Sequence, residues 1–238
     1  MKWDILNALP ERLRSDVRSR MVRCTFAKDE YIVLAGQPAD GIHFIDHGRV
    51  AVKGSTPAGD ETTLAILGPG DIFGELALLR PDHRRTATAM ALEPKTQSLV
   101  LTNDVWNELR RQPEVDRLVS SMTTSYIQRL GDQLAESLFV PAETRVVRHL
   151  IALCDKYETN PDGSRTIRLT KEELADLAGT SRQLASTVLN RLESLTDDEL
   201  AHGGVAPLTL GRGQVVVHDV ADLIRRERAM KQSKSDLG

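Results

Sequence analysis

Between Pro113 and about Phe139 the chain runs without an internal proline. Its apolar residues there fall at Val115, Val119, Met122, Tyr126, Ile127, Leu130, Leu134 and Leu138. Spacings of three and four place these side chains on one stripe of a single long helix. Such a stripe either packs on the helix's own domain or forms a seam with the same helix of a second subunit. It persists for more than three heptads, more than one small domain covers, so the seam is the expectation. Pro141 closes the helix. A chain of 238 residues exceeds one typical domain, and this helix is where it divides.

Upstream the pattern is different. From about Cys24 to Leu101 short β-prone runs alternate with turn signals at Gly36-Gln37-Pro38, Asp46-His47-Gly48, Ala58-Gly59-Asp60, Gly68-Pro69-Gly70-Asp71 and Glu93-Pro94. Glycine supplies positive φ and proline presets φ at turn entry. Strands are expected at Ile42 to Ile45, Arg49 to Lys53, Thr62 to Leu67, Thr86 to Ala91 and Thr96 to Leu101, the signature of a sandwich or barrel. Thr102-Asn103-Asp104 then offers a helix start.

No apolar run approaches the ~20 residues needed to cross a bilayer, and Met1-Lys2-Trp3-Asp4 opens no signal-peptide pattern. A cytoplasmic chain with no membrane partner is expected. Cys24 and Cys154 lack any CxxC or paired Cys/His spacing, so both are expected as small buried hydrophobes. The six histidines show no metal-ligand spacing, and no nucleophile-base pair or Walker loop is visible, which argues against a metal site and against an enzyme. Net charge is −3, and residues 141–238 hold 14 Lys plus Arg against 15 Asp plus Glu. Any nucleic-acid site must therefore be a local basic surface.

Such a surface is legible after Pro141. Thr144 to Tyr157 reads as an amphipathic helix and Thr159 to Ser164 as a loop. Thr170-Lys171-Glu172-Glu173 is then a capping box: the Thr170 hydroxyl takes one free N–H while Glu173 reaches back to another. That helix turns Leu174, Ala175, Leu177 and Ala178 inward and stops at Gly179. A second restarts at Thr180-Ser181 with Leu184, Ala185, Val188, Leu189 and Leu192 inward. Two short helices joined in this way form a helix-turn-helix. The second helix leaves Ser181, Arg182, Gln183, Ser186, Thr187 and Asn190 outward, where such helices touch base edges. Arg pairs with guanine and Gln with adenine. Leu208 to Val217 reads as a β-hairpin wing whose Gly211-Arg212-Gly213 tip sends Arg212 to phosphate. The basic stretch from Ile224 to Lys234 reads as a solvated helix end and Asp197-Asp198-Glu199 as a solvated loop.

A second constellation lies in the β-rich part. Phe73-Gly74-Glu75-Leu76-Ala77-Leu78-Leu79 is followed by Arg84-Arg85-Thr86-Ala87. Gly74 opens a short helical turn with free N–H groups for an anion, and Arg85 adds a guanidinium fork suited to phosphate. Glu75 offers acceptors for a sugar hydroxyl. Thr86 donates to phosphate or base.

Taken together, the turn-rich roll, Gly-Glu-Leu-Ala-Leu-Leu with Arg-Thr-Ala, the long helix and the helix-turn-helix around Thr-Ser-Arg-Gln resemble the Crp/Fnr family, the cyclic-AMP-receptor type of bacterial regulator, over nearly the whole length. The resemblance implies an α+β fold: a β-roll of the cyclic-nucleotide-binding type with flanking helices over 1–112, a dimerisation helix over 113–140, and a winged helix-turn-helix over 141–238. It implies that Gly74, Glu75, Leu76, Ala77, Arg85 and Thr86 hold a cyclic ribose phosphate, that Val52 and Leu64 line the base pocket, and that Ile127, Leu130 and Gly131 of the long helix face the base. It also implies a homodimer, double-stranded DNA held through Thr170, Lys171, Ser181, Arg182, Gln183, Thr187 and Arg212, and RNA polymerase as a partner. No cofactor is required; the effector is cyclic AMP, cyclic GMP or a cyclic dinucleotide.

Two departures qualify this. Where the cyclic-AMP-receptor type presents an adjacent Thr-Ser pair to adenine, an ungapped alignment places Leu130-Gly131, which carry no hydroxyl. Base recognition then falls to Thr86, Asp132 or backbone, or the roll is unliganded. Where that type has Arg-Glu and a later Arg facing bases, this chain has Arg182, Gln183 and Thr187, so its half-site differs. Thr196 to Pro207, between reader helix and wing, is longer than usual and has no functional account. Two rivals remain: a DNA reader on a ligand-independent scaffold, and a nucleotide-sensing module that acts on protein partners.

Overall fold

The computed structural model describes residues 3–7, 9–55, 61–194 and 205–235. The expected turn at 58–60, the loop at 197–199 and most of the 196–207 stretch lie outside the described residues, as does the side chain of Met122. The chain divides into two compact units, Met1–Asp132 and Gln133–Gly238.

The first unit opens with α1 (Asp4–Asn7) and α2 (Glu11–Ser19). Eight strands follow, β1 (Val22–Phe26), β2 (Tyr31–Val33), β3 (Gly41–His47), β4 (Val50–Ser55), β5 (Glu61–Leu67), β6 (Ile72–Phe73), β7 (Thr88–Ala91) and β8 (Thr96–Thr102), with α3 (Glu75–Leu79) between β6 and β7. They form two antiparallel four-stranded sheets, ordered β1-β8-β3-β6 and β2-β7-β4-β5. Alternation along β3 divides the core. Ile42 and Phe44 pack with Trp3, Leu6 and Leu9, with Trp106 and Leu109 of α4 (Asn103–Leu109), and with Val115 and Leu118 of α5 (Pro113–Phe139). Ile45 instead packs with Val50, Phe73 and Ala89, and His43 stacks on Phe73 with ring centroids 4.6 Å apart. The N-terminal helices are pinned by Trp3 Nε1, which donates to Ile45 O at 3.0 Å.

The long helix ends where the stripe and Pro141 place its end. Only its first turns are covered: Val115 and Leu118 are buried, while Ile127, Leu130, Leu134, Leu138 and Phe139 are 45–83% exposed.

The second unit contains α6 (Ala142–Cys154), β9 (Arg165–Ile167), α7 (Lys171–Leu177), α8 (Arg182–Glu193), β10 (Leu208–Gly211), β11 (Gln214–Val217) and α9 (Val220–Ser235). Its core joins Val146, Val147, Leu150 and Leu153 of α6 to Leu174, Val188, Leu189 and Leu192 of the helix pair. The wing is a three-stranded sheet ordered β10-β11-β9.

Several sequence expectations shift. The amphipathic helix starts at Ala142 and stops at Cys154 rather than covering 144–157, because Pro141 presets the first turn. Strand β7 begins at Thr88, since Arg85 and Thr86 are drawn into a loop by hydrogen bonds from Gly36 N to Arg85 O and from Arg85 N to Gln37 O, each 2.8 Å. Thr102 occupies the N-cap of α4 but makes no side-chain cap bond. Cys154 is buried as expected, whereas Cys24 is only half-buried.

Candidate functional site

The anion-binding loop is built around Gly74. Its φ of 88° lies in the left-handed region that glycine favours, and it stands at the N-cap of α3. A Cβ there would collide with Arg85 Nη1. The close approach matters because Arg85, only 4% exposed, donates from Nη1 to Gly74 O at 3.1 Å, from Nη2 to Gly41 O at 2.9 Å, and from Nη2 to the Asp40 carboxylate. Its Nε is buried and has no partner. The guanidinium is thus fixed in orientation with its Nε–H unspent.

Two acidic groups flank it. The His43 ring, its Nε2 3.8 Å from Asp40 Oδ1, and then the hydrogen-bonded Arg85 hold the Asp40 carboxyl well below the usual carboxylate range. Burial pushes Glu75 up, opposed by Arg129 of α5 and by Arg85. Arg129 also lies over the Tyr126 ring, 5.4 Å from its centroid. His43 is buried, with Nδ1 3.1 Å from Ser98 Oγ.

The other expected ligand residues are dispersed. Leu76 and Ala77 follow Glu75 in α3, Ala77 buried. Thr86 is exposed beside Arg85. Val52 lies half-buried on β4, whereas Leu64 on β5 is 52% exposed, its side chain over Gly54, where a Cβ would meet it. Ile127, Leu130 and Gly131 lie on the exposed part of α5. Asp40, His43 and Arg129 went unread in sequence. Asp40 and Arg85 stand 45 residues apart, beyond any local motif.

The reader is assembled from local signals. Thr170 Oγ1 accepts from Glu173 N at 3.1 Å while Glu173 Oε2 accepts from Thr170 N at 2.7 Å, completing the capping box. Helix α7 ends at Leu177, two residues before the expected stop, and Gly179 adopts a φ of 57° in the turn. Ser181 caps α8 by accepting from Leu184 N at 3.2 Å. Ser181, Arg182, Gln183, Thr187 and Asn190 are exposed, over a buried face of Ala185, Val188, Leu189 and Leu192; Leu177 and Leu184 are half-buried. Lys171 has a role the sequence did not suggest: its Nζ donates to Ser186 Oγ and Asn190 Oδ1, at 3.1 and 3.2 Å, fastening α7 to α8. Thr187 Oγ1 donates to Gln183 O at 3.0 Å. Arg212 is exposed at the tip between β10 and β11, and Glu193 of α8 accepts from Leu210 N at 2.6 Å, anchoring that hairpin to the reader helix. Strand β9, unread in sequence, completes the wing by pairing with β11.

Among the described residues no group of three or more His, Cys, Asp or Glu is placed to hold a metal ion. No described helix is long and apolar enough to cross a membrane.

Each of the two units is similar to a known domain. Residues 23–112 match the cyclic nucleotide-binding domain, and residues 144–196 match the Crp-like helix-turn-helix domain. The chain is 30% identical over 199 residues to the cyclic AMP receptor protein of Thermus thermophilus, spanning 84% of this chain and 85% of that one. It is 27% identical over 205 residues to the CRP-like cAMP-activated global transcriptional regulator of Mycobacterium tuberculosis, spanning 85% and 87%. Among solved structures, a CRP/FNR-family transcriptional regulator from Thermus thermophilus shares the fold with a TM-score of 0.65 at 20% identity, covering 87% of this chain and 98% of that one.

Proposed function

The chain belongs to the Crp/Fnr family of DNA-binding transcription regulators with a cyclic nucleotide-binding domain, and on that premise we propose that it is a homodimer that reads a pseudo-palindromic duplex when a cyclic nucleotide fills the β-roll. The observation that carries the effector half is the unpartnered Nε of the buried Arg85. A buried donor without an acceptor is costly unless a ligand supplies one. Phosphate oxygens at Gly74 and α3 answer that need and match the planar fork of Arg.

Glu75 then accepts from a ribose hydroxyl, and the base lies towards Val52, Leu64 and the Ile127-Leu130-Gly131 stretch of α5. Since Leu130-Gly131 offer no hydroxyl, the base is held by shape and by Thr86, and discrimination between adenine and guanine is weak. The names of the relatives make cyclic AMP the first probe.

In the DNA half, Arg182, Gln183 and Thr187 read base edges, with Ser181, Thr170, Lys171 and Arg212 on phosphates. The exposed apolar stripe of α5 closes the dimer, which sets two reader helices about 34 Å apart on successive major grooves. Filling the roll changes the packing of Val119 to Leu138 across that seam. The two arrangements must differ in affinity for ligand for this to regulate anything. The partner on the duplex is RNA polymerase and the compartment the cytoplasm.

The test is binding of the full chain to palindromic and scrambled duplexes at physiological salt, with and without cyclic AMP and cyclic GMP. The reading requires preference for the palindrome and an increase with nucleotide. Weak binding that salt abolishes would instead favour a module acting on protein partners. One specific observation favours the scaffold reading: Asp40 already supplies Arg85 with an intramolecular anion. Calorimetry separates the two, because a scaffold gives no heat with any cyclic nucleotide and DNA binding that Arg85→Ala leaves unchanged.

A further inference from the structure

Arg145, in the first turns of α6, spends its guanidinium entirely on backbone carbonyls. Nη1 donates to Ser137 O at 3.3 Å and Val140 O at 2.8 Å, at the end of α5; Nε donates to Ala178 O at 2.7 Å and Nη2 to Gly179 O at 2.9 Å, in the turn between α7 and α8. Carbonyls at a helix C-terminus lack the N–H groups of a following turn. Ser137 O is deprived further, since the residue four positions on is Pro141, which has no N–H. A single cation therefore caps two helix ends at once, each carrying the negative pole of its helix dipole. The arrangement is directional. One partner is the end of the helix whose first turns, Val115 and Leu118, lie in the core of the nucleotide-binding unit. The other is the turn that leads through Gly179, at a φ of 57°, into Ser181, the N-cap of the reader helix.

We propose that Arg145 is the positioning residue that makes the helix-turn-helix follow the end of α5, so that it is needed for effector control of DNA binding rather than for effector binding or for base contact. This rests on the reading that a nucleotide in the roll controls the reader. A displacement of the last turn of α5 moves Ser137 O and Val140 O, and the rigid planar fork carries Ala178 and Gly179 with them. A lysine keeps the charge but is a point donor, which cannot span carbonyls on two separate helix ends.

The experiment measures DNA affinity of the full chain, with and without saturating cyclic AMP, for the natural protein, Arg145→Lys and Arg145→Gln, together with cyclic AMP affinity in the absence of DNA. A coupling of ordinary allosteric size is about tenfold in DNA affinity. Arg145→Gln is expected to reduce that ratio to under about twofold and Arg145→Lys to an intermediate value, with cyclic AMP affinity retained. If both variants lose DNA affinity equally with and without nucleotide, the ratio is kept, the role of Arg145 is merely structural and the inference is overturned. If the natural protein itself shows no ratio, the regulated reading fails first. A second measurement needs no variant: on adding cyclic AMP to the natural protein, amide exchange is expected to change together at residues 137–140 and 178–181. A change confined to one of the two segments overturns the inference.

Discussion

Arg85 donates from Nη2 to the Asp40 carboxylate while its buried Nε is left without an acceptor. The pair thus orients the cation without saturating it, and on the proposed reading Asp40 aims it at the phosphate. Asp40→Asn is expected to weaken cyclic AMP binding by about tenfold, the worth of one charge-assisted hydrogen bond. Because His43 and Arg85 lower its carboxyl in the folded state, the stability it contributes is present above the ordinary carboxyl value near 4. That contribution is lost only as pH falls through the lowered one. The difference between the two proteins should then be flat from about pH 5 to 8. Calorimetric titrations across that range check both points; tighter binding by the Asn variant would mean that Asp40 competes with phosphate instead.

Glu75 presents the opposite sign. Burial raises its carboxyl pKa, so the folded state binds protons more readily than the unfolded one. Stability then falls as pH rises from the ordinary glutamate value, about 4.3, through the raised one. Glu75→Gln should raise the melting temperature at pH 7, and this gain should vanish below about pH 4. Cyclic AMP affinity should drop by about tenfold as the charged acceptor for the ribose hydroxyl becomes a neutral amide oxygen. Melting curves at both pH values with one binding isotherm decide it, and a Gln variant that binds as tightly as the natural protein removes Glu75 from the site.

What could be read in advance was what is local. The capping box of Thr170 and Glu173, the Gly179 turn, the buried spacing of α8 and the bounds of α5 each lie within a few turns of chain, and the structure places them as the residues dictate. The cradle was half legible: Gly74 and Arg85 announce their chemistry by residue type, but Asp40 meets Arg85 across 45 residues of chain, with His43 beside Asp40. Strand β9 escaped because three residues carry too little alternation, and it exists only through pairing with β11. Lys171 was expected on DNA and Arg145 carried no expectation; the intramolecular partners of both are hydroxyl, amide and carbonyl oxygens that no spacing rule identifies.

Arg182 and Arg212 should separate specificity from affinity. Arg182 stands exposed at the first turn of α8 beside its Ser181 cap, where the proposed reading puts a bidentate contact to guanine. Arg182→Ala is expected to cost ~1 to 3 kcal/mol and to relax preference at one base pair in each half-site. On the same reading Arg212, at the hairpin tip, meets phosphate. Arg212→Ala should weaken all sequences alike and lower the salt dependence by about one counterion per half-site. Binding-site selection from a random pool, repeated at several salt concentrations, distinguishes them. An Arg182→Ala protein that selects the same site as the natural one shows that this residue does not read a base.

The apolar stripe of α5 sets the last expectation. Leu134 and Leu138 are 61% and 68% exposed, on a helix secured at its start by Val115 and Leu118 and at its end by the Arg145 bonds and the Arg148–Glu136 ion pair. If the stripe is a two-fold seam, each substitution occurs twice. Burial of a leucine is worth about 1.5 to 3 kcal/mol, so one Leu→Glu change removes about 3 to 6 kcal/mol of association, before charge repulsion across the axis is added. That is a weakening of about 100-fold to 10,000-fold. Leu134→Glu should therefore be monomeric at micromolar concentration by sedimentation, should keep a folded β-roll that still binds cyclic AMP through Arg85, and should lose the palindrome, because a single reader helix spans one half-site. A Leu134→Glu protein that remains dimeric would place the seam elsewhere and leave the stripe without a partner.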